Sequence, residues 1–281
     1  MCPGKTRTKD KTGLSQIKFV AADMDGTLLN AKHEISPGFY PVFEQMKAKG
    51  LLFAAASGRQ HFNLLNRFTI IKDDVIFIAE NGSYVVYRGE ELLVQAMDEW
   101  VVKEQLAAAA KIPDVYPILC GKKSAYVQST EPRFIENVEM YYDKYELVDD
   151  LLKVDNDQFL KIAICDLAGS ESNSYHFFKQ KMDELQVKIS GLIWLDLSHK
   201  LANKGRAIEK LQQKFGISKD ETMAFGDYLN DLEMLQQAGF SYAMENAHGD
   251  IKNIARFITK SNEEDGVVIV LQEMLRAMDN G

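Results

Sequence analysis

Two aspartates flank one residue in Asp23-Met24-Asp25-Gly26-Thr27. Residues two apart on extended backbone lean to the same side, so this pair crowds two negative charges together. Either one takes up a proton or a cation sits beside them. A carboxylate can attack an electrophile, and a second one can carry a proton to and from the reacting atoms. Taken alone, the stretch is also an ordinary solvated turn, because Asp and Gly are common loop residues. Its neighbours in the chain have to separate the two readings.

Other polar stretches follow apolar runs in the same manner. Ser57-Gly58-Arg59 follows Leu51–Ala56, Glu80-Asn81-Gly82 follows Val75–Ala79, and Gly226-Asp227 follows Thr222–Phe225. Ligands of open parallel sheets bind beyond the carboxyl ends of the strands. These ends would therefore gather Asp23, Asp25, Ser57, Asn81 and Asp227 at one edge. Three or more carboxylates there call for a hard divalent cation, and oxygen ligands without nearby His or Cys favour Mg²⁺ over Zn²⁺. Asp231 lies four residues after Asp227 and shares its face if a helix begins between them. The competing reading has Asp227 as an N-cap and Asp231 in solvent. Lys204, at the start of another helical segment, reads by itself as a surface lysine.

The elements that must position these residues are read from periodicity. Ile17–Ala22, Leu51–Ala56 and Val75–Ala79 are uninterrupted apolar strands. Between them lie helical segments: Phe39, Val42, Phe43 and Met46 at helical spacing behind Ser36-Pro37, then about 61–68. Strands alternating with helices predict a Rossmann-like parallel sheet with helices on both faces. From about residue 85 the texture changes. A hairpin around Arg88–Glu91 precedes a helix at 99–111 and strands at 115–120 and 124–128. A helix at 131–142 and a strand at 159–165 follow, then a helix at 172–185 and strands at 186–190 and 192–197. That mixture predicts a separate α+β domain, whose aromatics Tyr116, Tyr126, Phe134 and Tyr141 read as core. The first texture returns with a helix at 203–215, the strand Thr222–Phe225, a helix at about 230–237 and the strand Phe240–Met244. Helices at 251–255 and 267–278 close the chain. The expected division is a basic tail at 1–14, an α/β domain of 15–84 and 193–281, and an inserted domain of 85–192.

At 281 residues and a net charge of −8 the chain is long enough for two domains and too acidic for a nucleic-acid surface. Three scattered cysteines, Cys2, Cys120 and Cys165, form no C-x-x-C and suggest reduced thiols and a cytoplasmic protein. No apolar run approaches the ~20 residues of a membrane span. The first residues carry Lys5, Arg7, Lys9 and Lys11 without the apolar segment of a signal peptide. Nothing in the sequence speaks to oligomeric state.

In order and spacing, these motifs resemble the haloacid dehalogenase superfamily, in particular the class IIB-capped, Cof-type sugar-phosphate phosphatases. The resemblance rests on Asp23–Thr27, Ser57–Arg59, Lys204-Gly205 and Gly226–Asp231. It continues in Met234-Leu235, Ala238-Gly239, Ala243-Met244, Asn246-Ala247 and Asp265-Gly266-Val267. It covers nearly everything after residue 16, and departs from the family at Asn203, where Ser is more usual. It implies a Mg²⁺-dependent phosphatase of small phosphorylated metabolites, working through an aspartyl-phosphate. Asp23 would be the nucleophile and Asp25 the acid and base. Ser57, the Gly58 N–H and Lys204 would hold the phosphoryl oxygens. Asp23, the Asp25 carbonyl and Asp227 would ligate the metal, with Asp231 on it directly or through water, and Asn230 would orient phosphate or Asp227. Arg59 and Asn81 would touch substrate at the rim, and the inserted domain would be a cap. Three alternatives stay open: a phosphomutase of the phosphomannomutase kind, a phospho-acceptor like a receiver domain, and a sugar-binding regulator without catalysis.

Overall fold

The computed structural model describes residues 12–280. Most of the expected basic tail, residues 1–11, lies outside the described residues. Leu14, which that expectation also included, is buried and opens a 3-10 turn, Leu14–Gln16, that packs on the last helix.

In chain order the first elements are β1 (Phe19–Asp23), α1 (Phe39–Ala48), β2 (Leu52–Ala56), α2 (His61–Arg67), β3 (Val75–Ala79), β4 (Tyr84–Tyr87), β5 (Glu90–Val94) and α3 (Glu99–Ala109). Then come β6 (Val115–Gly121), β7 (Ala125–Val127), α4 (Pro132–Tyr141), β8 (Tyr145–Leu147), β9 (Phe159–Asp166), α5 (Ser174–Phe178), β10 (Leu185–Gly191) and β11 (Trp194–His199). The chain closes with α6 (Lys204–Phe215), β12 (Thr222–Gly226), α7 (Leu232–Gln236), β13 (Phe240–Ala243), α8 (Gly249–Ile254), β14 (Phe257–Ile258) and α9 (Gly266–Asp279). The chain divides into two compact units, Met1–Ala54 with Ile208–Gly281, and Ala55–Ala207.

In the first unit the strands lie in the order β14-β13-β12-β1-β2. β1 runs parallel to β12, β12 to β13 and β13 to β14, with Phe19 opposite Thr222 and Met223 opposite Phe240. Every residue of β1 and of β12 is buried. This explains why their sequences are continuous apolar runs rather than alternations. Helix α1 buries Phe39, Val42, Phe43 and Met46, one stripe of a 3.6-residue repeat, and packs on α9.

The second unit carries the end of β2, then β3, β4 and β5 in that order. The Ser57 N–H donates to the Ile78 carbonyl at 2.8 Å. β3, β4 and β5 are antiparallel neighbours. Here the structure departs from the sequence reading, which ended the α/β part at residue 84. Only Glu80–Gly82 and Ser83 separate β3 from β4, too few for the crossover a parallel strand requires, so the chain turns back. The β4–β5 turn is also tighter than the expected Arg88–Glu91. Arg88 and Gly89 are both left-handed (φ 51° and 77°), a two-residue hairpin turn that lets β5 start at Glu90.

A second sheet in this unit has the order β10-β11-β9-β6-β7-β8. It is antiparallel except for β7 and β8. β11 belongs to it, although residues from 193 onward were expected in the α/β part. Only Leu192 and Ile193 separate it from β10, with Gly191 opposite Trp194. Val102, Leu106 and Ala109 of α3 and Phe178 of α5 cover one face, over Leu119, Ile162, Ile164, Leu195 and Leu197. Phe134 and Val138 of α4 cover part of the other, over Ile118, Cys120, Ala163 and Cys165. Tyr116 stacks on Phe134 with centroids 5.2 Å apart. The helix expected over 172–185 shrinks to α5, because residues 179–184 contribute nothing buried that could extend its apolar stripe. Among the described residues no helix is long and apolar enough to cross a membrane.

Candidate active site

In the first unit, Asp23 is the last residue of β1 and is buried. The turn after it is held tightly: the Met24 carbonyl accepts from the N–H groups of Thr27, Leu28 and Leu29, and the Asp23 carbonyl accepts from Leu28. Gly26 is required in this turn for two reasons. Its φ is +75°, and a Cβ there would sit 2.3 Å from Asp227 Oδ2. The Thr27 hydroxyl donates to Asp227 Oδ1 at 3.1 Å, and the Asn246 amide donates to the Gly26 carbonyl at 2.8 Å. The D-x-D-G-T stretch is therefore built against the end of β12.

Asp227 follows β12, and its carbonyl accepts from the His248 N–H at 2.8 Å. Asp231 is fully buried in the 3-10 turn Leu229–Asp231, which also contains Asn230. Its Oδ2 accepts from the backbone N–H groups of Asp227 and Tyr228 at 3.0 and 3.2 Å. So Asp231, not Asp227, caps this turn, and its carboxylate points back at Asp227 instead of into solvent. Asp23, Asp227 and Asp231 bring one carboxylate oxygen each to within 4.8 Å of one another. An all-oxygen donor set of this kind fits Mg²⁺ and is a poor set for softer metals. Asp25 stands apart from the three: it is partly exposed, and its Oδ1 lies 3.2 Å from His33 Nδ1. His33 was not singled out in the sequence; its φ of 58° marks the turn that brings it back.

The remaining predicted residues belong to the second unit. Ser57 is buried; its hydroxyl accepts from the Arg59 N–H at 3.1 Å and its carbonyl from the Asn81 N–H at 2.9 Å. Gly58 sits against the Asn81 side chain, 3.1 Å separating Asn81 Oδ1 from where a Cβ would be. Glu80, Asn81 and Gly82 are left-handed in succession, with φ of 50°, 55° and 94°. Such a run costs on the order of 1–2 kcal/mol for each non-glycine residue. Gly82 has no room for a side chain, since a Cβ would meet the Asn203 carbonyl oxygen at 2.4 Å. That close approach seats the start of α6 against the β3 turn. Lys204 is fully buried, so it is not the surface lysine its local sequence suggests.

Arg59 differs from its expected place at the rim. It is 3% exposed, and its guanidinium donates to Asn63 Oδ1 and the Met140 carbonyl while lying 4.9 Å over the Tyr141 ring. It ties the 57–59 loop to the end of α4.

Two residues besides His33 escaped the sequence reading. Lys161, in β9, is 2% exposed, and Asp196, in β11, is 4% exposed. The Lys161 ammonium lies 2.9 Å from Glu80 Oε2 and 3.4 Å from Asp196 Oδ1, and donates to the Gly58 carbonyl at 2.7 Å. The Glu80 contact has the geometry of an ion pair more than of a directed hydrogen bond. Asp196 Oδ2 accepts from the Asn81 amide at 2.6 Å. Burial pushes the Glu80 carboxyl up, and Lys161 partly counters it. Burial also works against the Lys161 charge, but Asp196 and Glu80 outweigh it and hold the ammonium above its ordinary pKa. The one local signal was a lysine inside the otherwise apolar strand Phe-Leu-Lys-Ile-Ala-Ile-Cys.

A family model described as haloacid dehalogenase-like hydrolase matches residues 20–271. The 5-amino-6-(5-phospho-D-ribitylamino)uracil phosphatase YbjI of Escherichia coli (strain K12) is 33% identical over 266 residues, covering 92% of this chain and 97% of that protein. The structure of SMU.1108c from Streptococcus mutans UA159 superposes with a TM-score of 0.86 at 28% identity, covering 92% of this chain and 99% of that one. The HAD subclass IIB sugar phosphatase BT4131 superposes with a TM-score of 0.81 at 24% identity over 91% of this chain and 98% of that one, a likeness of fold.

Proposed function

The chain belongs to the haloacid dehalogenase-like hydrolases as a Cof-type phosphatase, and from that premise we propose that it hydrolyses phosphate monoesters of small polyhydroxylated metabolites through an aspartyl-phosphate. The observation that carries the reading is the convergence of Asp23, Asp227 and Asp231, with Asp25 two residues beyond Asp23. Sugar phosphates and the phosphoribityl ester for which the Escherichia coli relative is named share one chemistry, a phosphate on a hydroxylated carbon chain.

In this reading Asp23 attacks phosphorus in line. The new bond from its carboxylate oxygen forms as the bond to the ester oxygen breaks. Asp25 gives its proton to the departing oxygen, then takes one from the water that attacks phosphorus, freeing phosphate and restoring Asp23. His33, 3.2 Å from Asp25, orients that carboxyl group. The loose transition state leaves negative charge on the equatorial oxygens. The Ser57 hydroxyl, the Gly58 N–H and Lys204 are the donors for it, while Asn81 and Asn230 orient the ester. Mg²⁺, held by Asp23, Asp227 and the Asp25 carbonyl with Asp231 behind them, would neutralise charge on the phosphoryl group when bound. The six-stranded sheet with its helices is the cap that selects the leaving group and excludes water. The core is then 15–84 and 193–281, gaining the β4–β5 hairpin and giving up β11. A cytoplasmic location is consistent with buried, reduced Cys120 and Cys165.

The test is release of inorganic phosphate from a panel of phosphorylated sugars, polyols and nucleotides, with and without Mg²⁺. Turnover concentrated on sugar and polyol phosphates, without transfer back to a second hydroxyl, is the expected result. Transfer to the substrate in place of water would identify a mutase.

A further inference from the structure

Lys161 is hard to account for as packing. Strand β9 is buried along its whole length, and its other residues from Phe159 to Cys165 are apolar. A buried ammonium loses its hydration, and replacing a whole buried ion pair with apolar residues often leaves a fold as stable or more so. What Lys161 supplies that an apolar residue would not is a hydrogen bond to the Gly58 carbonyl and a fixed charge between the Glu80 and Asp196 carboxylates, the second of which accepts from the Asn81 amide. Those groups belong to the two loops that follow β2 and β3. The loops are also tied to each other, by the Glu80 N–H on the Arg59 carbonyl and the Asn81 N–H on the Ser57 carbonyl. The left-handed conformations of Glu80 and Asn81 persist only where the surroundings impose them. The strand whose lysine meets Glu80 belongs to the second sheet, where Lys161 stands opposite Cys120 and Ser198.

We infer that Lys161 is a positioning residue of the phosphatase site: from the inserted sheet it clamps the Gly58 carbonyl and the Glu80–Asn81 turn, so that Ser57, the Gly58 N–H and Asn81 hold the arrangement a phosphoryl group needs. This rests on the phosphatase reading above. It makes the inserted sheet part of the catalytic scaffold and not only a cover over it. Lys161 touches no reacting atom. Its effect falls on transition-state donors, which raise kcat more than they tighten ground-state binding.

The experiment compares wild type with Lys161→Met, Lys161→Gln and the double variant Lys161→Met/Glu80→Gln, using p-nitrophenyl phosphate and the best substrate of the panel. Lys161→Met is expected to lower kcat at least 10-fold with KM changed less than 3-fold. Lys161→Gln keeps a donor for the Gly58 carbonyl and should recover part of kcat. The double variant removes one of the two buried carboxylates left without their cation, so its Tm should return part of the way toward wild type while kcat stays low. A role confined to stability would instead restore kcat along with Tm. Wild-type kcat in any folded member of the series overturns the inference, and the glutamine variant decides the matter if the methionine variants do not fold. If wild-type enzyme releases no phosphate from any ester, the phosphatase reading fails and this inference falls with it, whereas an active wild type with unchanged kcat in a folded Lys161 variant overturns this inference alone.

Discussion

The two units each hold a group of carboxylates, and the groups are built differently. In the first, one carboxylate oxygen each of Asp23, Asp227 and Asp231 lies within 4.8 Å of the others. Around them are hydroxyl and amide donors from Thr27 and the Asp227–Tyr228 backbone. In the second, Glu80 and Asp196 flank an ammonium the chain itself provides, Lys161. A cation on a side chain is fixed in place, so the second group is suited to hold backbone still. Oxygens converging on one point suit an exchangeable hard ion and a charged reactant. Loss of a member should therefore cost activity in the first group and architecture in the second.

The largest effect expected is Asp23→Asn, which should cut phosphate release by about 10³-fold or more. Its circular dichroism and Tm should stay close to wild type, since the amide keeps the shape of the carboxylate. Turnover near wild type would remove Asp23 as nucleophile. Chelation comes next. EDTA should abolish activity and added Mg²⁺ restore it. Mg²⁺ should also raise the Tm of wild type, as a ligand that binds only the folded state must. In Asp227→Ala that rise should disappear, whereas in a folded Lys161 variant it should survive. The second group predicts the opposite pattern. Lys161→Met strands two buried carboxylates and should destabilise the fold by about 3–5 kcal/mol in denaturant titration. A Lys161→Met protein as stable as wild type, or an Asp23→Asn protein that does not fold, would erase the contrast. Gly82→Ala should lie between the groups. It forces a Cβ into the Asn203 carbonyl at φ +94°, and should cost about 1–3 kcal/mol while shifting Lys204 enough to slow turnover.

The first group was legible in the sequence and the second was not, for a physical reason. Asp23 and Asp227 each follow an apolar run, so the strand and its polar end are written side by side. Asp227 and Asp231 are neighbours in sequence as well as in space. The partners of Lys161 come from residues 58, 80 and 196, on three other segments. No local pattern announces which buried lysine will meet which carboxylate. Arg59 shows the same limit: its motif was visible, but Asn63 and the Met140 carbonyl that draw it inward were not. The strands of the α/β part were read nearly to the residue, with Val75–Ala79 unchanged in the structure. The short strands β8 and β14, of three and two residues, are too short to leave a periodicity to read.

His61 offers the smallest and most separable test, because it is a half-buried titratable group outside both groups of carboxylates. Its Nδ1 is buried without a hydrogen-bond partner, and its ring lies edge-on to Phe77 and Tyr84, with centroids 5.6 and 5.3 Å away. Burial pulls its pKa down from 6.5 to about 4, with Glu91 opposing the shift in part. Between those two values the unfolded chain binds a proton that the folded one refuses. Stability therefore rises with pH across this window: the contribution is fully present above 6.5 and is lost as pH falls through 4. With the ring partly exposed, the full span is worth about 2 kcal/mol, below the 1.36 kcal/mol per unit limit. Denaturant unfolding at pH 7 and pH 4.5 should show this loss in wild type and a smaller one in His61→Phe, which keeps the aromatic packing. Equal losses in the two proteins would move the acid sensitivity from His61 to carboxylates held below their ordinary pKa, of which Glu221, paired with the Lys18 ammonium and accepting from the Ser218 N–H and hydroxyl, is the first to examine.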